Sequence, residues 1–430
     1  MKDCGCAITS EVMIMKFHGI TLAVDSNDVN PLTFNQWLAN NNGYKSNGEV
    51  RWEKIDEYSK DSQTGFTRLQ YTGPKGFKDI TTLNLNLVSL NPVILYEKIL
   101  VQGTTTSHFI VADGKLTDTY TIKDPAYYNT KYLKQTVASF VYNYNNNFQG
   151  LRLFSTLITP RKGLISMYLA SPAEMLFTDP IGRRLGKDPT NNVEYNEIPE
   201  GVYYQEGIGN PFPETSVPNE ESKNIWIPDP IDGKYDIQII GTESGSYTLD
   251  TLIYDQTGQS KDVTQEGNTS LNNIQNFELD YSATTIQQSE IYRIVDIDIK
   301  PGSYPNAINL KSKGVAPVTI ITTPFFDAKN VVIDSVIFAG ANPLKGKLED
   351  VDNDKDLDLI LHFNTQSLQL TTADTEAVLT GKLEDNALIK GTDSVRIIQE
   401  SGKQTILSKF FSFIGQFIQN LVSAIGSIAT

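Results

Sequence analysis

Apolar residues near the start of the chain recur at helical spacing. Ile8, Val12 and Met15 fall on one side of a 3.6-residue period, which predicts a helix over 6–18 with Gly19 as its stop. A second helical stretch, "PLTFNQWLANN", opens at Pro31 and is expected to end near Gly43. The texture then changes. "NPVILYEKIL", "SHFIVADG" and "DTYTIKDP" are short runs rich in β-branched and aromatic residues, separated by turn residues, as in an antiparallel sheet. The polar run "YNYNNNFQG" closes this first region near Asn147.

Beyond Leu151 the pattern is alternating and turn-rich, and "GKYDIQIIGTESGSYTLDTLIYD" reads as a hairpin of a β-sandwich across a Gly-Ser turn. The Pro-rich "GNPFPETSVPNEESKNIWIPDP" is expected to be an excursion rather than a strand. A further strand-rich unit starts near Tyr292. After Ser401 the tail becomes helical and amphipathic. Phe410, Ile414, Phe417, Leu421, Ile425 and Ile428 share one face, widened by Phe411, Ile418 and Val422, with Gln416, Gln419 and Asn420 opposite. Four segments follow: 1–150 with helices and strands, 151–290 as a β-sandwich region, 291–400 as a β-rich module, and 401–430 as a helix.

At 430 residues the chain is too long for one ordinary domain. Its 36 basic and 51 acidic residues argue against nucleic acid as a partner and favour solubility or cation binding. Two cysteines, Cys4 and Cys6, and three histidines exclude a disulfide framework and a zinc site of the usual spacing. No interior stretch is long and apolar enough to span a bilayer, and polar residues interrupt the C-terminal helix as a spanning segment. With Lys409 the one basic residue of "KFFSFIGQFIQNLVSAIGSIA", the C-terminal helix fits docking or self-association better than a membrane surface. No signal peptide is legible, and the N-terminus is expected to be truncated or processed.

Cys6 stands where the first helix begins, and a helix N-terminus favours a thiolate. His18 ends the same helix about three turns away, too far to serve it. His108 opens "HFIVADG", and a hairpin would set Asp124 of "IKDP" beside it to orient the ring. Alone, each of these residues has a plain structural explanation: a core thiol, a packed strand histidine and a turn-forming aspartate.

Together, "GCAITSEVMIMKFHGI", "PLTFNQWLANNNGY", "NPVILYEKI", "HFIVADGK" and "YTIKDPAYYNT", in that order, resemble papain-fold cysteine peptidases related to the bacteriocin-processing, double-glycine-cleaving enzymes. The resemblance implies a papain-like α+β N-terminal domain. It also implies a triad of Cys6 as nucleophile, His108 as base and Asp124 as orienting group, with a peptide or protein as substrate. One departure stands out. The family usually places a Gln a few positions upstream of the Cys as an oxyanion donor, and none of Met1–Gly5 is Gln. That feature motivates an alternative: an inactive papain-like protein of the cell surface that binds peptides or mediates adhesion.

"DVDNDKDLD" carries acidic side chains at every second position from Asp350 to Asp358. Carboxylates this close repel one another unless a cation neutralises them. Loop spacing predicts a structural Ca²⁺ held by the side chains of Asp350, Asp352, Asp354 and Asp358, with the carbonyl of Asp356. Lys355 stands where such loops usually carry Gly, and no Glu follows at the twelfth position. Residues 295–398 resemble a β-rich module recurrent at the C-termini of secreted prokaryotic proteins, which implies an extracellular or cell-surface location.

Overall fold

The computed structural model describes residues 5–76, 79–101, 104–116, 119–125, 148–207, 221–398 and 411–420. The chain divides into two compact units, Met1–Ile291 and Tyr292–Thr430.

The first unit opens with helix α1 (Gly5–Phe17). Its buried residues, including Ala7, Ile8, Glu11, Val12, Ile14 and Met15, run round most of its circumference, so it is a central helix rather than a surface one. Gly19 at φ 73° takes the left-handed position after its last turn, and Ile20 N–H bonds back to Met15 C=O at 2.9 Å. Helix α2 (Pro31–Asn40) starts on a capping box. The Asn30 side chain accepts from Thr33 N–H, and Thr33 Oγ1 accepts from Asn30 N–H. It ends before Gly43, the expected stop. Two further helices, α3 (Lys54–Tyr58) and α4 (Ile80–Val88), were not legible as separate elements; Asp79 caps the latter by accepting from Thr82 N–H.

Five antiparallel strands complete this region: β1 (Gln70–Lys75), β2 (Val93–Val101), β3 (Thr104–Leu116), β4 (Thr119–Lys123) and β5 (Phe148–Ser155). Their order is β1-β5-β2-β3-β4, so the strand that spans residue 150 returns to lie between β1 and β2. One face of the sheet packs Ile94, Tyr96, Phe109 and Val111 against α1, α2 and Trp52. The other packs Val93, Leu95, Ile110 and Ala112 against Leu83 and Leu87 of α4.

The rest of the unit is a two-sheet sandwich. One sheet orders β10 (Val202–Gly207), β11 (Glu221–Pro228), β6 (Leu164–Ala170), β13 (Gly245–Tyr254) and β14 (Ser260–Thr269). The other contains β15 (Ile274–Tyr281), β12 (Gly233–Gly241), β7 (Ala173–Thr178), β8 (Arg184–Asp188) and β9 (Val193–Asn196). Alternating residues such as Ile165, Met167, Phe177, Ile225, Ile237, Leu249 and Phe277 fill the space between them. Two expectations change here. β12 and β13 do not pair with each other: β12 pairs with β7 and β15, and β13 with β6 and β14. Alternation makes each a strand with one apolar face, and both faces meet in the core when the chain crosses between sheets instead of folding back. The end of the Pro-rich stretch, Glu221–Pro228, is a paired strand; residues 208–220 lie outside the described set.

The outer face of the β10-β11-β6-β13-β14 sheet is also buried. Trp226 and Leu164 join the core beneath α1, and the Trp226 ring lies 6.0 Å from that of Tyr71. Gly73, at φ 119°, lets β1 pass over that indole: a Cβ there would sit 2.5 Å from the ring. Around this apolar patch the contact is ionic. Arg152 on β5 pairs with Glu206 on β10, and both are buried. Trp52 Nε1–H donates to the same carboxylate at 3.1 Å. Lys45 Nζ donates to Glu49 at 3.0 Å and to Asn224 at 2.8 Å, and Arg51 holds both oxygens of Asp262 at 3.0 Å.

In the second unit, Ile297–Ile299, Val315–Ile320, Asp358–Asn364 and Pro343–Glu349 form a four-stranded sheet in that order, and Glu376–Lys382 pairs with Leu388–Ser394. Val318, Ile320, Leu361, Phe363 and Leu379 are among its core. Residues 411–420 form an exposed helix that presents Phe411, Phe413, Phe417 and Ile418 to solvent. The flanking positions Phe410, Leu421, Val422, Ile425 and Ile428 lie outside the described residues. Among the described residues no helix is long and apolar enough to cross a membrane.

Candidate functional site

Cys6 occupies the first turn of α1, half-buried against the core, with its thiol free. The helix is held against β3, where Ser10 Oγ–H donates to the Phe109 carbonyl at 3.4 Å. His108 precedes that residue on β3, almost wholly buried, and Asp124 directly follows β4. The β3–β4 ladder pairs Val111 with Lys123, and this register carries Asp124 to the imidazole. His108 Nε2 and Asp124 Oδ1 are 2.8 Å apart, with both side chains almost fully enclosed. The carboxylate accepts from the ring N–H and so selects which nitrogen is left for other chemistry.

The Cys6 thiol interacts with the same imidazole. Burial disfavours the charged ring. The hydrogen bond with Asp124, the contact with the Cys6 sulfur and the charges of both outweigh it, and they push the His108 pKa up to about 10. Nδ1, the nitrogen that Asp124 leaves over, is buried and has no hydrogen-bond partner among the described residues. Catalytic hydrogen bonds are often long in a ligand-free protein and tighten when substrate binds. The arrangement is an imidazole oriented from one side by a carboxylate and open on the other to a thiol. Chemically it can move a proton to and from sulfur. Cys4 lies outside the described residues. His18, at the far end of α1, and His362, in the second unit, take no part.

Sequence reasoning missed Glu97. It is the direct cross-strand partner of His108 in the β2–β3 ladder, and it is 3% exposed. Burial raises its pKa to about 8, opposed by the charge of His108 and reinforced by that of Asp124. Within "LYEKIL" it reads as an ordinary surface glutamate, and only the strand register places it beside the ring. Glu11 was missed too. It is fully buried on α1 with neither carboxylate oxygen partnered among the described residues. Burial, then the charges of Glu53 and Glu206, raise its pKa well above the usual range.

The acidic loop of the second unit brings Asp350, Asp352 and Asp354 together, each offering an oxygen within 4.8 Å of the others. Asp354 N–H donates to Asp352 Oδ1 at 3.2 Å and Asp356 N–H to Asp354 Oδ1 at 2.9 Å, which curls the loop round its own carboxylates. Lys355 adopts φ 83°, the left-handed conformation for which such loops favour glycine. Desolvation, then the hydrogen bond and charge of Asp354 and the charges of Asp358 and Asp352, push the Asp356 carboxyl up to about 6. Asp358 is turned inward, accepting from Thr322 N–H at 2.8 Å and Val351 N–H at 3.0 Å. The three converging carboxylates are hard oxygen donors of the kind that suits Ca²⁺.

Residues 1–150 match the family model described as the Peptidase_C39 like family, so the N-terminal part of the chain is Peptidase_C39-like. No curated protein matches the chain. Two solved structures are matched at low similarity. One is the Bacteroides ovatus mixed-linkage glucan utilization locus protein SGBP-B in complex with mixed-linkage heptasaccharide: 10% identity, TM-score 0.16, covering 46% of this chain and 37% of that one. The other comes from work on host cell surface retention of a 1.5-MDa bacterial ice-binding adhesin: 9% identity, TM-score 0.14, covering 58% of this chain and 90% of that one. The chain thus spans little more than a third of the first.

Proposed function

We propose that this Peptidase_C39-like region is a papain-like cysteine peptidase, with Cys6 as nucleophile, His108 as general base and acid, and Asp124 as the group that orients the ring. The observation that carries the reading is the His108–Asp124 hydrogen bond of 2.8 Å on a ring that also interacts with the Cys6 thiol. His108 takes the thiol proton, and the sulfur bonds to the substrate's carbonyl carbon while the C=O electron pair moves to oxygen. That pair returns, the C–N bond breaks, and the leaving amine takes the proton from His108. Water, deprotonated by His108, then cleaves the thioester and restores the thiol.

Iodoacetamide labelling of the full chain tests the assignment. Cys6 should react at least about ten-fold faster than Cys4. That rate should collapse in His108→Ala, and the Cys6→Ala protein should keep only the slow Cys4 reaction. Equal, slow labelling of both thiols would refute a nucleophilic Cys6 and leave peptide capture without cleavage.

The second unit we read as a calcium-stabilised accessory module of a secreted or cell-surface protein. The convergence of Asp350, Asp352 and Asp354 supports it. Bound there, Ca²⁺ would neutralise the loop's mutual repulsion. Extracellular calcium is abundant enough to fill a weak site of this kind.

A further inference from the structure

Three ionisable side chains lie on one face of three neighbouring strands. Ile110 and Ala112, two and four residues beyond His108, belong to the apolar cluster under α4. So do Leu95 and Val93, two and four residues before Glu97, and Ile122, two residues before Asp124. Side chains of a strand alternate between faces, so Glu97, His108 and Asp124 share this one. His108 is in the middle, Asp124 on the β4 side and Glu97 on the β2 side, directly opposite His108 in the ladder. Opposite residues of an antiparallel pair hold their Cβ atoms about 5 Å apart.

Glu97 is buried, and its Oε1 has no partner among the described residues. A buried carboxyl oxygen without a partner is unfavourable. Nothing in the apolar cluster uses it. Its charge interacts with His108 and with Asp124. Among the described residues, α4, which packs on this face, carries no ionisable side chain.

Resting on the triad reading above, we infer that Glu97 is a positioning residue of this site, a second carboxyl that flanks the imidazole from the strand opposite Asp124 and steadies its charged form. At neutral pH Glu97 holds its proton, and Asp124 and the Cys6 sulfur support the charged ring. Above about 8 Glu97 ionises and adds a second negative charge beside His108, which extends the imidazolium to higher pH. The imidazolium therefore persists further into alkaline solution than Asp124 and Cys6 would hold it by themselves.

The test follows the His108 ring by NMR in ¹⁵N-histidine-labelled full-length protein, with the signal assigned by a His108→Gln variant. Glu97→Gln keeps the shape and removes the charge. Its His108 midpoint should fall by about one pH unit. A folded Glu97→Gln protein with the wild-type His108 midpoint overturns the proposal. Should that variant fail to fold, the wild type decides: the His108 ring shift should show a separate small step where the ¹³C-labelled Glu97 carboxyl titrates, and a single-step ring titration refutes the role. If Cys6 is unreactive at every pH, the peptidase reading fails, while the His108 titration still decides what Glu97 does.

Discussion

Replacing Glu206 with alanine probes the contact between the sandwich and the N-terminal region most directly. Glu206 and Arg152 are 2% and 1% exposed as side chains, and the carboxylate also accepts from Trp52 Nε1–H. Burial alone would raise the Glu206 pKa, but the charges of Arg152 and then Lys45 bring it below the usual range, so it is ionised. Removing it leaves the guanidinium enclosed, with the Leu151 carbonyl at 3.0 Å and the rings of Tyr204, Trp52 and Tyr96 at 4.7, 5.6 and 5.9 Å still beside it. Breaking a buried pair on one side costs about 3–5 kcal/mol. Three weak ring contacts return part of that, and the lost indole hydrogen bond adds about 1 kcal/mol. The expected loss is therefore about 4 kcal/mol, or roughly 10 °C in Tm for a unit of this size. Urea unfolding followed by tryptophan fluorescence reads it, because Trp52 and Trp226 sit at this contact. The double variant Arg152→Met, Glu206→Leu removes both charges and should recover most of the loss. A Glu206→Ala protein within about 1 kcal/mol of wild type, or a double variant as unstable as the single one, would show that the pair does not hold the two parts together.

Three further outcomes are expected. Asp124→Asn should cut the Cys6 labelling rate at pH 7 by about ten-fold or more and lower the His108 midpoint. Because the folded His108 pKa is raised to about 10, its stabilising contribution is complete below the unfolded value near 6.5 and lost as pH rises to 10; in Asp124→Asn the pH–stability curve over that window should flatten. Ca²⁺ should raise the Tm of the wild type and not of the Asp352→Asn, Asp354→Asn double variant. The rise should shrink below about pH 6, where Asp356 takes up a proton and the loop loses negative charge; an undiminished rise in the double variant would move calcium elsewhere. Glu11→Gln should be more stable than wild type, and more so at pH 8 than at pH 5. Folding must hold Glu11 protonated against a solvent value of 4.5, at a cost that grows as pH climbs. Equal Tm at both pH values would mean that Glu11 is not enclosed.

The first helix, its glycine stop, the Pro31 helix and the strand character of β2, β3 and β4 were legible because each rests on local rules: spacing, caps and turn residues. Cys6, His108 and Asp124 were singled out from the same blocks. The acidic loop was legible from its period of two, although the inward turn of Asp358 toward Thr322 N–H was not, since that amide lies 36 residues away in the chain. Alternation, by contrast, fixes which face of a strand is apolar and is silent on which strand lies beside it. Hence the crossing of β12 and β13 between sheets, the return of β5 to the first sheet and the pairing of Glu97 with His108 came only from the tertiary structure. The buried polar contact belongs there too. Lys45, Glu49, Arg51, Arg152 and Glu206 look like surface residues one at a time, and it takes two separately encoded surfaces meeting to enclose and neutralise them. Local rules act through neighbours within a few residues, whereas burial and charge balance here depend on groups from 54 to 211 residues apart.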